Sequence, residues 1–396
     1  MGALESLREL LLDSTTIEEI PEWRRMKKLE ILSLDKCTLL TKFSFVGCAA
    51  VATNLSLVDR HLTQMPKSIE NFNSLIHLNL LSTNMGELPD VTRNMKNLKV
   101  LKMRRPLRKI SSAIGMLEKL EELEAWGTFK EIPDNIGNLR FLKTLILSSP
   151  RISMVPQLPE SLINLCCKTT SMKTLPNFSN LLNLRNLRLT LWFNHEGPCQ
   201  LEGAPSAWWI GTLQMLEFLK LSSPHITNLS SNLVLLSQLK RLKLQRCHLE
   251  CLPKLPTNLS YLGIKSCRRM KTTNDLSNLK VLSYLLIVAC DELTEIRDIE
   301  GLENLRTLEL VTLPSLVKLP DLTNLKKLKK IHLNGCSKLY EIQGGPASLE
   351  ILHIINCSNL QKFPDPSSFR NLKVWDPETK ESTSDLVFRE FVNVNT

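Results

Sequence analysis

The sequence predicts an α/β solenoid: short parallel strands stacked into one concave sheet, with brief 3₁₀, helical or extended segments returning behind them. Three observations predict it. Leucine and isoleucine recur in a fixed pattern along almost the whole chain. Most of these clusters are followed, before the next begins, by an apolar residue and a proline. Hydrophobic residues make up 43% of the 396 residues but aromatics only 5%, so the buried side chains are aliphatic and of similar size, as a repeated layer requires.

The pattern is L-x-x-L-x-L. It runs from Leu7/Leu10/Leu12 and Leu29/Leu32/Leu34, through triples such as Leu142/Leu145/Leu147 and Leu216/Leu219/Leu221, to Leu349/Leu352/Ile354. There are sixteen such triples, and a degenerate one at Leu372/Trp375. Start-to-start spacing is 20 to 23 residues everywhere except from Leu184 to Leu216, where it is 32. Alternation puts the second and third leucines on one face of a short strand. One strand cannot bury that face alone, so each stacks on the next and the apolar faces merge into a continuous core. The expectation is a leucine-rich-repeat horseshoe of about 16 repeats over residues 1–375, with an irregular insertion at about 192–215 and a tail at 376–396. At about 4.8 Å per strand, its inner arc would run on the order of 75 Å.

The closing segments explain the thin convex side. Ile20-Pro21, Met65-Pro66, Leu88-Pro89, Ile132-Pro133, Leu252-Pro253 and Leu319-Pro320 end in a residue with no N–H and a fixed φ. That suits an extended or 3₁₀ return and opposes a long helix. Residues 134–139 supply one such turn. Position nine of the repeat, where the chain leaves the strand, carries Cys37, Cys247, Cys267, Cys290, Cys336 and Cys357, or Thr15, Thr83, Thr128 and Thr170. A small side chain that bonds the backbone is expected there. This accounts for six of eleven cysteines without zinc, whose ligand pairs have no counterpart in the spacing.

Composition limits function. A formal charge of +10 favours anionic partners of any kind. No nucleic-acid reader motif accompanies it, and no run approaches the ~20 apolar residues of a membrane helix. The expected partner is therefore a protein ligand, not nucleic acid and not membrane. The opening MGALESLREL lacks a signal-peptide pattern, which with an odd number of cysteines points to the cytoplasm or nucleus. The dipeptide Gly-Lys never occurs, so no phosphate-cradling G-x-x-x-x-G-K-[ST] is present. Neither G-x-S-x-G nor H-E-x-x-H occurs. The chain is expected not to be an enzyme, with no metal site and no cofactor of its own.

Strand residues between the framework leucines line the concave surface. Reading positions three, five, seven and eight gives Lys102, Arg104 and Arg105, then Glu122, Glu124 and Trp126. Further on come Arg188, Phe218, Lys220, Arg241, Lys243, Arg246, Tyr261, Lys265 and Tyr284. At position five Arg188, Lys220 and Lys243 fall in successive repeats. Like charges at strand spacing are unfavourable to an isolated fold, so either an acidic surface docks there, with Phe218, Tyr261 and Tyr284 as apolar anchors, or the lane is simply solvated. His332 and His353 share a strand position one repeat apart, as a solvated pair or as a contact for an acidic partner. In the long interval Trp192, Trp208 and Trp209 either pack on the flank or join an interface.

The repeat wording is specific. Leu328-Lys-Lys-Ile331-His-Leu333-Asn-Gly-Cys336-Ser-Lys-Leu339-Tyr-Glu-Ile342 and Leu349-Glu-Ile-Leu352-His-Ile354-Ile-Asn-Cys357-Ser-Asn-Leu360-Gln-Lys-Phe363-Pro364 resemble the repeat region of plant intracellular nucleotide-binding leucine-rich-repeat disease resistance proteins. The likeness is to the class with a Toll/interleukin-receptor-type domain, and it covers nearly all of residues 1–375. It implies a module that senses a pathogen effector or a guarded host protein and restrains the receptor's own signalling domains. Those domains are not encoded in these residues, so the ADP or ATP of the family is expected only for its nucleotide-binding domain. A stand-alone intracellular scaffold that binds a signalling GTPase or regulates an enzyme is the competing reading.

Overall fold

Each leucine triple carries one strand, because alternation over five residues puts its second and third leucines on one face and lets the backbone bond its neighbours on both sides. In the computed structural model the described residues are 5–20, 26–40, 42–43, 51–58, 69, 71–81, 86–87, 93–172, 175–191, 207–364 and 369–376. Trp192 and Thr83 lie outside them, as do residues 192–206 of the insertion and 377–396 of the tail. The chain divides into two compact units, Met1–Cys247 and His248–Thr396.

The first unit contains β1 (Glu9–Leu11), β2 (Ile31–Ser33), β3 (Asn54–Ser56), β4 (His77–Leu80), β5 (Val100–Leu107), β6 (Glu122–Gly127), β7 (Thr144–Ser148), β8 (Asn164–Thr169), β9 (Asn186–Leu191), β10 (Phe218–Ser222) and β11 (Arg241–Gln245). Every neighbouring pair in this order is parallel, with leucine beside leucine: Leu10 with Leu32, Leu145 with Leu165, Leu219 with Leu242. The second unit contains β12 (Tyr261–Lys265), β13 (Tyr284–Val288), β14 (Thr307–Val311), β15 (Lys330–Asn334), β16 (Ile351–Ile355) and β17 (Val374–Asp376), again parallel and in register. Both units are thus leucine-rich-repeat solenoids, and strand n belongs to repeat n.

The framework leucines of repeats two to sixteen are buried. Those of the first repeat are only half-buried. Behind the sheets run short 3₁₀ segments at Ser112–Met116, Asp134–Asn138, Trp208–Thr212, Ser231–Leu235 and Ile299–Gly301. Pro133 sits at the start of one of them with φ −60°, where its missing N–H costs nothing. The residue before the first leucine ties successive turns together. Asn97, Asn183, Asn304 and Asn371 each donate to a backbone carbonyl one turn earlier, at 2.6 to 3.0 Å.

Position nine behaves as expected where it is cysteine. Cys37, Cys247, Cys267, Cys290 and Cys336 are fully buried, with free thiols. The Cys37 Sγ donates to the Leu12 carbonyl at 3.0 Å, and Cys290 to that of Val288 at 3.6 Å. Burial pushes the Cys290 thiol up, out of the reactive range. The threonines divide. Thr15 bonds the Leu12 carbonyl at 2.8 Å and Thr170 that of Pro150 at 2.9 Å, but Thr128 is exposed. In repeats seven and eight a hydroxyl one position earlier takes the inward place: Ser149 bonds Phe129 O and Thr169 bonds Ile152 O, each at 2.6 Å.

Candidate functional site: the concave faces

In the first unit, positions three, five and seven of β5–β11 carry many cations and aromatic rings, with Glu122 and Glu124 among them on β6. Arg188, Lys220 and Lys243 are consecutive partners in register. Arg188 and Lys220 are half-exposed, but Lys243 retains only 3% of its surface. Phe218, expected as an exposed anchor, is 7% exposed. It lies under two guanidinium groups, Arg188 at 5.1 Å and Arg241 at 5.7 Å from its ring centre, and so serves as a platform for cations. Arg246 lies beyond the end of β11, exposed at φ 52° in a left-handed turn, and not on the sheet face.

Nearer the N-terminus, Trp126 stacks below Arg104 at 4.3 Å, with Lys168 at 5.4 Å. Lys102 is neutralised by Glu122 at 3.0 Å. Cys166, on the same face, has its thiol raised by burial, against the pull of Arg188, Lys168 and Lys220.

The concave face of the second unit differs in chemistry. Tyr261 and Tyr284 are stacked, with ring centres 5.1 Å apart and planes 22° apart. Gly263 permits this, because a Cβ there would stand 2.9 Å from the Tyr261 ring. Lys265 is half-buried at the end of β12. Position five then places Glu309, His332 and His353 in register on three strands. Glu309 is 5% exposed and pairs with Lys330 at 2.8 Å. His332 is 4% exposed, not solvated, and its ring meets His353 edge-on at 5.7 Å. Its Nε2 has no hydrogen-bond partner. Burial holds the His332 imidazole below the usual 6.5, with Lys330 and His353 acting in the same sense and Glu309 against it. Among the described residues no group of His, Cys, Asp or Glu is arranged to hold a metal ion.

The tryptophans of the long interval separate. Trp209 is buried edge-on against Phe178 at 5.4 Å, whereas Trp208 is half-exposed at the start of its 3₁₀ turn.

One arrangement escaped the sequence reading. Position two, on the flank of the sheet, carries charges of alternating sign. Glu121 bridges Lys99 and Lys143, both at 2.9 Å. Glu217 bridges Arg185 at 3.2 Å and Lys240 at 3.0 Å. Glu350 bridges Lys329 at 2.8 Å and Lys373 at 3.0 Å. Hydrogen bonds from Lys143 and Lys99 hold the Glu121 carboxyl down at about 2. Aligning the repeats and reading position two as a column would have found these ladders.

Comparison with known proteins agrees with this architecture. No family model matches the chain. Among curated proteins it is 25% identical over 287 residues to the Arabidopsis thaliana disease resistance protein At4g19050, covering 70% of this chain and 21% of that protein. It is 30% identical over 228 residues to the disease resistance-like protein DSC1 of the same organism, covering 56% and 17%. The chain thus spans about a fifth of the length of these relatives. Among solved structures it resembles the LRR protein LIC12759 of Leptospira interrogans, at TM-score 0.65 and 23% identity over 88% of this chain and 92% of that one. It also resembles YopM, a leucine-rich effector of Yersinia pestis, at TM-score 0.51 and 18% identity over 92% and 88%. What this chain shares with these structures is the leucine-rich-repeat fold, and with the Arabidopsis proteins a distant sequence kinship.

Proposed function

We propose that this chain is the protein-recognition part of a plant immune receptor of the Toll/interleukin-receptor-type class, acting in the cytoplasm or nucleus. It binds a pathogen effector or a guarded host protein and restrains signalling domains that lie outside these residues. Its work is binding, not catalysis, and residues 1–375 serve as one recognition module. Arg188, Lys220 and Arg241 are the contact groups of the first unit, and Tyr261, Tyr284, Lys265 and His353 those of the second, each unit taken by itself.

The observation that carries this reading is the concave sheet: its parallel strands present cations and aromatic rings on a rigid scaffold, where recognition groups belong. Kinship with two disease resistance proteins supplies the biological setting. The full-length transcript tests it. An in-frame segment upstream of Met1 that encodes a P-loop nucleotide-binding domain is expected. An in-frame stop codon directly upstream, with no such domain on any transcript of the gene, would contradict the receptor reading.

A further inference from the structure

Position five of the second unit sets three titratable side chains in one row on neighbouring strands: Glu309 on β14, His332 on β15 and His353 on β16. His332 stands in the middle and is 4% exposed. On one side the Glu309 carboxylate is engaged by Lys330 at 2.8 Å. On the other the His353 ring meets His332 edge-on, with ring centres 5.7 Å apart. Lys330 precedes His332 by two residues on β15 and takes the same face by alternation. The other side chains on this face of the three strands, Thr307, Val311, Asn334, Ile351 and Ile355, do not titrate. Glu309, Lys330 and His353 are thus the charged and titratable groups around the ring.

The surroundings of His332 suit one protonation state. Its Nε2 is buried and has no hydrogen-bond partner among the described residues. In a neutral imidazole one nitrogen donates and the other accepts, so an idle nitrogen can be the accepting one. An imidazolium donates from both. Its Nε2–H would then meet no acceptor, and its charge would be held out of water within reach of the Lys330 ammonium. The Glu309 carboxylate, which could balance that charge, is already bonded to Lys330. A ring placed in this way gains a proton most easily by leaving its place.

We infer that His332 is an acid-sensitive latch of the second unit: on taking a proton from solvent, its ring leaves the row between Glu309 and His353, and β14–β16 loosen. This goes beyond the recognition reading and stands whether or not the chain serves an immune receptor. Burial, with Lys330 and His353 in the same sense and Glu309 against, holds the folded imidazole below 6.5, its ordinary value in the unfolded chain. The contribution of the neutral buried ring is therefore complete above 6.5 and is lost as pH falls below it. In the first unit β6, β7 and β8 carry no histidine, and the Glu121 ladder titrates lower, between 4.5 and about 2. Mild acid thus acts on β14–β16 and spares β6–β8.

The test is hydrogen exchange of the full chain, read by mass spectrometry at about pH 8 and about pH 5 and corrected for the intrinsic rate at each pH. Peptides covering β14–β16 are expected to exchange several-fold faster at the lower pH, and those covering β6–β8 at an unchanged rate. His332→Gln and His332→Phe should each abolish the difference, so either variant serves if the other does not fold. His248→Gln is the control: burial lowers this imidazole too, but it lies outside the row, and the variant should keep the acid response. Titration of the His332 ring by NMR, with isotope-labelled histidine in the wild type, needs no variant and should give a midpoint below 6.5. A midpoint at 6.5 or above, equal acid-driven loosening of both sets of strands, or loosening that survives both His332 variants would overturn the assignment.

Discussion

At Ala289 the backbone holds φ at 52°, in the left-handed region that a Cβ disfavours. It is one of a series. Lys36, Arg246, Ser266, Ala289, Gly335 and Asn356 each precede a position-nine cysteine, and all have positive φ. This twist turns the chain so that the thiol points back into the core and reaches a carbonyl. Two substitutions read its cost in opposite directions. Ala289→Gly should stabilise the protein by about 1 kcal/mol, and Gly335→Ala should destabilise it by about 1 to 2 kcal/mol. The second cost is purely conformational, since a Cβ at Gly335 would meet its nearest neighbour at an ordinary 3.5 Å. Denaturant midpoints of the two variants check both. The cysteines were legible in the sequence because their spacing repeats; the twist before them was not, because five different residue types besides Gly335 adopt it.

Among the elements, the flank ladders show how adjacent turns are joined outside the core. Glu121 is held down at about 2 by two lysines, against its ordinary 4.5. A depressed carboxylate contributes its stability above the unfolded value, and that contribution is lost as pH falls from 4.5 towards 2. The group is partly exposed, so its contribution at neutral pH is below about 1 kcal/mol. Glu121→Gln should therefore lower the neutral-pH midpoint slightly and flatten the acid limb between those values. Glu121→Lys should lower it further, by putting three cations in register. Stability curves against pH decide this, and an unchanged acid limb in Glu121→Gln would count against the ladder. Strands were predictable as elements, but the register shift in β5 between Arg104 and Leu107 was not. Gly127 faces it, and a Cβ there would overlap the Leu107 carbonyl; nothing in the local pattern announces that approach.

For the molecule as a whole, the period of the leucines was enough to name the fold. Each triple from the second repeat to the sixteenth lies buried, leucine beside leucine. Burial on the concave side was harder to read. Alternation says which face a side chain takes, not how crowded that face is. So Phe218, Lys243 and His332, read as surface contacts, are buried. The column logic of charge is likewise a property of the stack: a single repeat shows a lysine, and only the stack shows whether its neighbour shares its sign. The most direct measurement compares two double charge reversals in the full chain, Arg188→Glu with Lys220→Glu on the concave lane and Lys143→Glu with Lys240→Glu on the flank, reading both affinity for a labelled Glu/Asp-rich peptide and thermal midpoint. The expected result is that the lane pair loses binding about tenfold or more, while the flank pair keeps binding but melts earlier. Equal loss of binding in both pairs, or a lane pair that melts earlier while binding as before, would contradict it.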